Sequence, residues 1–183
     1  MYSYFMKSDI MKQALKTLDQ KLGLTKSSKL KLLIGGGSAL ALAHGIPLHT
    51  ADIDAVPFKS DVDLSILDQL VKETGHELKI SPDWLNPYFG TFLMSLPSDY
   101  GDRLIQIYKG KNLEAYALGL NDLLIMKCFA GREKDIPHSK ALIKKGADID
   151  FTQDHIESLI AKKIPGAESA LNFLLEVEDQ IGG

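Results

Sequence analysis

The chain has 183 residues, 45% of them hydrophobic, with 21 basic and 24 acidic side chains and a formal net charge of −3. That much apolar material can fill a core without staples, which excludes a chain disordered throughout, and the charge balance excludes a generally basic nucleic-acid binder. A single cysteine, Cys128, excludes an intrachain disulfide; no apolar run is long enough for a bilayer and Met1–Met11 lacks a basic-then-apolar leader, so a cytoplasmic protein without a membrane partner is expected.

In chain order, Lys7–Leu22 reads as an amphipathic helix with Ile10, Ala14, Leu15, Leu18 and Leu22 on one face, stopped by Gly23. Lys29–Ile34 reads as a strand that enters a glycine turn, Ser38–His44 as a short apolar helix closed by Gly45, and Asp52–Val56 as a second strand. Asp61–Thr74 is expected to be a helix that turns Leu64, Leu67, Leu70 and Val71 inward, with Gly75 just past its end. Ser81–Gly90 is a loop or short helix around Trp84. Thr91–Leu96 and Arg103–Tyr108 read as strands joined by the turn Pro97–Gly101, and Leu113–Ala117 as one more.

From Leu120 the pattern is helical, over 122–132, 137–145, 152–162 and 167–181. Strands confined to the first two thirds and helices filling the last third predict an α+β fold: a small mixed sheet backed by helices, then a C-terminal helical extension. The expected division is a core over 1–118 and an extension over 119–183 packed on it.

Two segments carry chemistry. Gly35-Gly36-Gly37-Ser38 lies between a strand and a helix. Glycines let a ligand approach the backbone, the helix start offers unpaired amides to phosphate, and Ser38 can cap the helix or donate to phosphate. The turn is neither a Walker loop nor a dinucleotide fingerprint. Asp52-Ile53-Asp54 then places two carboxylates on one face of a strand, where their repulsion is relieved by a cation such as Mg²⁺. The five histidines show no zinc spacing, and Trp84, Tyr88, Phe89 and Phe92 read as core. Lys26, Lys29, Lys31, Lys140, Lys144 and Lys145 read as solvated surface.

Leu32-Leu33-Ile34-Gly35-Gly36-Gly37-Ser38 and Thr50-Ala51-Asp52-Ile53-Asp54-Ala55-Val56 together resemble the nucleotidyltransferase superfamily related to DNA polymerase beta. Within it the chain looks most like minimal bacterial proteins of the AbiEii toxin type, through Leu120–Lys127 followed by Arg132-Glu133-Lys134-Asp135. The resemblance covers about residues 30–145.

It implies transfer of a nucleoside monophosphate from a nucleoside triphosphate to a hydroxyl of RNA, such as a tRNA end, or of a protein. Asp52 and Asp54 would hold Mg²⁺ or Mn²⁺, and Gly36, Gly37, Ser38, Arg132 and Lys134 would bind the nucleotide. Lys127 would neutralise phosphate charge. An antitoxin partner is the further implication of the AbiEii likeness. The family also draws a third carboxylate from a neighbouring strand. The strand 104–108 offers Gln106 there, with Asp102 just before it, and His49 stands where relatives carry a basic residue. The alternative is a degenerate module of the same fold that binds nucleotide or a partner without catalysis.

Overall fold

The structure, a computed structural model, describes residues 6–25, 28–48 and 50–182. The expectations for Met1–Phe5, Lys26 and His49 lie outside the described residues, as does that for the Tyr88 side chain. The architecture is the expected α+β, with a five-stranded mixed sheet and helices. The chain forms two compact units. The first takes the described residues up to Gly90 with Leu104–Ala117, and the second takes Thr91–Arg103 with the described residues from Leu118 on.

The first unit runs α1 (Ser8–Leu22), β1 (Leu30–Ile34), α2 (Gly36–Ala43), β2 (Ile53–Pro57), α3 (Leu64–Leu78), β3 (Leu85–Asn86), β4 (Ile105–Lys109) and β5 (Leu113–Ala117). The strand order is β3-β2-β1-β5-β4. β1 is antiparallel to β2 and parallel to β5, β3 is parallel to β2, and β4 is antiparallel to β5. The middle place of β1 follows from its composition: Leu30, Leu32, Leu33 and Ile34 are all fully buried, the mark of a strand covered on both faces. β2 alternates instead. Ile53 and Ala55 are buried, whereas Asp54 and Val56 keep partial access to solvent.

In α3, Asp63 caps the first turn by accepting from the amides of Ser65 and Ile66. Leu64, expected inward, is the first helical residue and is 66% exposed. Gly75 does not end this helix but lies buried inside it, because a Cβ there would stand 2.6 Å from the Ser81 carbonyl oxygen. The helix closes four residues later, at Lys79 in the left-handed conformation. Trp84 then packs fully buried, its indole N–H donating to the Val71 carbonyl at 2.8 Å.

The strand expected over Thr91–Leu96 is instead part of a 3-10 helix, Tyr88–Ser95. Its tight turns bond Gly90 N to Pro87 O and Leu96 N to Leu93 O. Short apolar runs with no alternation do not separate strand from helix by period, and here the proline and glycine favour turning.

The second unit holds α4 (Leu120–Ala130), α5 (Asp135–Lys144), α6 (Ile149–Ala161) and α7 (Ala167–Gly182). Asp148 caps α6 by accepting from Phe151 N at 2.9 Å. Arg103 grips the buried carboxylate of Asp122 with two bonds of 3.0 and 2.8 Å, and also pairs with Asp99. No helix among the described residues is long and apolar enough to cross a membrane.

Candidate functional site

The glycine turn and β2 are joined through Ser38. Its hydroxyl donates to the Gly35 carbonyl at 3.0 Å and accepts from the Asp54 amide at 3.1 Å. The Gly35 amide donates to the Asp54 carbonyl at 2.9 Å, so the Asp54 main chain is fixed at both ends. Ser38 is fully buried and gives α2 no side-chain cap, so it acts from behind the turn and not as a surface donor. The first bond of the helical ladder runs from Ala39 N to Gly35 O, which leaves the amides of Gly36, Gly37 and Ser38 ahead of the ladder.

Gly36 is the position that demands glycine. Its φ is +58°, and a Cβ there would stand 2.6 Å from Asp54 Cγ and closer still to Oδ2. The carboxylate of Asp54 thus lies directly over the turn. Gly37 is less constrained, since a Cβ there would meet only Thr50, at 3.9 Å.

Asp52 stands in the bend just before β2, one residue short of the strand expected from sequence. Its carboxylate is held by neutral donors. Asn86 Nδ2 lies 2.8 Å from Oδ2, and the Thr50 hydroxyl, 3.0 Å from the Asp52 carbonyl oxygen, lies 3.3 Å from Oδ1. Asn86 was not legible as a site residue, because a two-residue strand leaves no periodic signal. Gln106 is not its counterpart. It lies on β4 at the far edge of the sheet, separated from β2 by β1 and β5, and donates to Tyr116. The strands beside β2 are β1 and β3, and β3 pairs Asn86 with Asp54. Asp102 belongs to the second unit, exposed on the 3-10 turn Tyr100–Arg103.

In the second unit, Lys127 is only 4% exposed and its ammonium donates to Asp135 Oδ1 at 2.6 Å. Asp135 is wholly buried and also receives Arg132 Nε at 2.7 Å, while His138 Nδ1 stands 3.7 Å away. Burial opposes ionisation of Asp135, but His138, Arg132 and Lys127 outweigh it and hold its pKa well below the usual carboxylate range. Arg132 and Lys134 are exposed on the turn into α5. Cys128 is buried, its thiol pushed up to about 12 by desolvation, which favours the neutral thiol.

Among the described residues, no group of three or more His, Cys, Asp or Glu side chains is arranged to hold a metal ion. Asp52 and Asp54 are two hard oxygen donors, and Mg²⁺ needs no more from protein when phosphates and water complete its shell. The pair therefore fits a divalent cation bound together with a phosphate ligand.

No curated protein and no solved structure matches the chain. The model of a family described as "Nucleotidyltransferase of unknown function (DUF6036)" matches residues 13–170, a span that contains the glycine turn, Asp52, Asp54, Asn86, Lys127 and Asp135. The chain belongs to this nucleotidyltransferase family.

Proposed function

We propose that this protein transfers a nucleoside monophosphate from a nucleoside triphosphate to an acceptor hydroxyl on RNA or protein, with pyrophosphate leaving. The observation that carries the reading is the joint at Ser38, which sets the Asp54 carboxylate against Gly36 at the start of α2. That closeness supports neighbouring places for a phosphate and a carboxylate-bound cation in one unit. Asp52 and Asp54 would hold Mg²⁺ or Mn²⁺, and the amides of Gly36 and Gly37 would receive phosphate oxygens. A cation there would supply neutralisation of the charge that gathers on the phosphates. The acceptor oxygen forms its bond to the α-phosphorus as the bond to pyrophosphate breaks, and the hydroxyl proton passes to water.

Lys127 is given no phosphate contact, because its buried ammonium is bonded to Asp135. The AbiEii likeness supports a toxin role with an antitoxin partner, tested by whether induced expression arrests bacterial growth.

The deciding assay offers α-labelled nucleoside triphosphates, with Mg²⁺ or Mn²⁺, to the chain together with total tRNA and with protein extract. Label in RNA or protein that disappears in the Asp52→Asn, Asp54→Asn double variant is expected. Absence of cation-dependent nucleotide binding in the unaltered chain would overturn the reading. A second reading, nucleotide binding without transfer, is favoured by Asn86 standing where a third carboxylate would complete the set. Tight binding with no transfer to any acceptor would select it.

A further inference from the structure

This inference rests on Asp52 and Asp54 acting as cation ligands. β3 is two residues long, yet it adjoins β2, with Leu85 opposite Ile53 and Asn86 opposite Asp54. Residues in register share a face, so Asn86 lies beside Asp54, and its side chain reaches from there to Asp52 in the bend before β2. Asn86 Nδ2 donates to Asp52 Oδ2 at 2.8 Å. A carboxylate only accepts, so the amide must present its NH₂ to Asp52. Thr50 Oγ1 stands at the other oxygen, Oδ1, at 3.3 Å.

A carboxylate in place of this amide would do the opposite on both counts. It would repel Asp52 where Asn86 holds it. It would also add the negative charge and oxygen ligand that a second divalent cation needs in a two-ion site. Partners that orient a metal-binding carboxylate through a hydrogen bond govern affinity without touching the ion.

We infer that Asn86 is a positioning residue that orients Asp52 for one divalent cation and keeps the site from taking a second.

The test is a Mn²⁺ titration followed by electron paramagnetic resonance on the full chain. It is run with the α,β-methylene analogues of the four nucleoside triphosphates, and with thermal melts alongside. The unaltered chain is expected to bind one Mn²⁺. Asn86→Ala is expected to bind one about 10-fold more weakly at an unchanged melting temperature. Asn86→Asp, of the same shape, is expected to bind two and to melt lower without metal than with it, because three carboxylates then crowd together. Two ions in the unaltered chain, equal affinity in Asn86→Ala, or a single ion in Asn86→Asp would each overturn the role given to Asn86 while leaving the nucleotidyltransferase reading intact. No Mn²⁺ bound by the unaltered chain with any analogue would overturn both.

Discussion

Asp135 and Asp52 are both carboxylates that stand at or beside the start of a regular element, and their surroundings differ in kind. Asp135 is wholly buried, bonded to the ammonium of Lys127 and the guanidinium of Arg132. Asp52 keeps partial access to solvent and is held by an amide and a hydroxyl, both neutral. A buried charge matched by fixed cations is already satisfied, and its chief consequence is for stability. A half-exposed carboxylate held by neutral donors is not matched in charge by either of those two partners. On the proposed reading, Lys127 belongs to the architecture of the second unit and Asp52 to the cation site.

The largest effect that sharpens this contrast is expected from Lys127→Met. A lysine whose ammonium reached solvent could be replaced at little cost. Here the change leaves Asp135 buried without its closest cation. Removing one partner of a buried pair costs about 3 kcal/mol, with Arg132 and His138 limiting the loss. Chemical denaturation of both proteins at neutral pH measures it, and an unchanged midpoint would move Lys127 out of the architecture. The same pair has an acid signature. The folded pKa of Asp135 is depressed, so its contribution is complete above about pH 4, the unfolded value. It is lost as pH falls from there through the lower folded pKa. Melting temperatures between pH 5 and pH 2 are expected to fall more steeply in the unaltered chain than in Asp135→Asn.

The next effect separates two adjacent glycines. Gly36→Ala forces a left-handed backbone on a residue with a Cβ and drives that Cβ into the Asp54 carboxylate. A cost of about 2 kcal/mol is expected, together with loss of Mn²⁺ binding as Asp54 is pushed aside. Gly37→Ala meets only ordinary contact with Thr50 and is expected to be neutral or stabilising by up to about 1 kcal/mol. Equal loss of stability in the two variants would show that the close approach at Gly36 does not govern the turn.

These residues also show what the sequence could and could not reveal. The order strand, glycine turn, apolar helix, Asp-x-Asp strand was legible because each piece has its own local signal: a continuous apolar run, a glycine cluster, alternation around Ile53. Position in the sheet had no such signal. Gln106 sits in a strand of ordinary appearance, and only the strand order places it at the far edge, four strands from β3. Asn86 lies in a strand too short for any period, and its bond to Asp52 spans 34 positions in sequence. Gly75 shows the same limit inside a helix: glycine usually marks an end, but here it makes room for Ser81 and Pro82. Lys127 shares its burial with Leu123 and Leu124, one turn earlier in α4. The identity of its partner, eight residues on, depended on how Gly131 in the left-handed conformation redirects the chain into α5.

The smallest effect in stability is expected from Asp52→Asn, and it is the most direct test of the contrast. Asparagine keeps the shape of the side chain and an oxygen that can accept from Asn86. Its new NH₂ can donate to Thr50 Oγ1, so both hydrogen-bond positions stay filled. The substitution also removes one of two carboxylate charges that stand two residues apart. Without metal, stability should therefore change by no more than about 0.5 kcal/mol, with any change upward. With Mn²⁺ and a triphosphate analogue, the unaltered chain should gain melting temperature, because a ligand that binds only the folded state shifts the equilibrium toward it. The variant should gain little or nothing. The measurement is a set of paired melts, with and without metal and analogue, on both proteins. If Asp52→Asn instead loses as much metal-free stability as Lys127→Met, then Asp52 is a structural carboxylate like Asp135, and the distinction between the two sites fails.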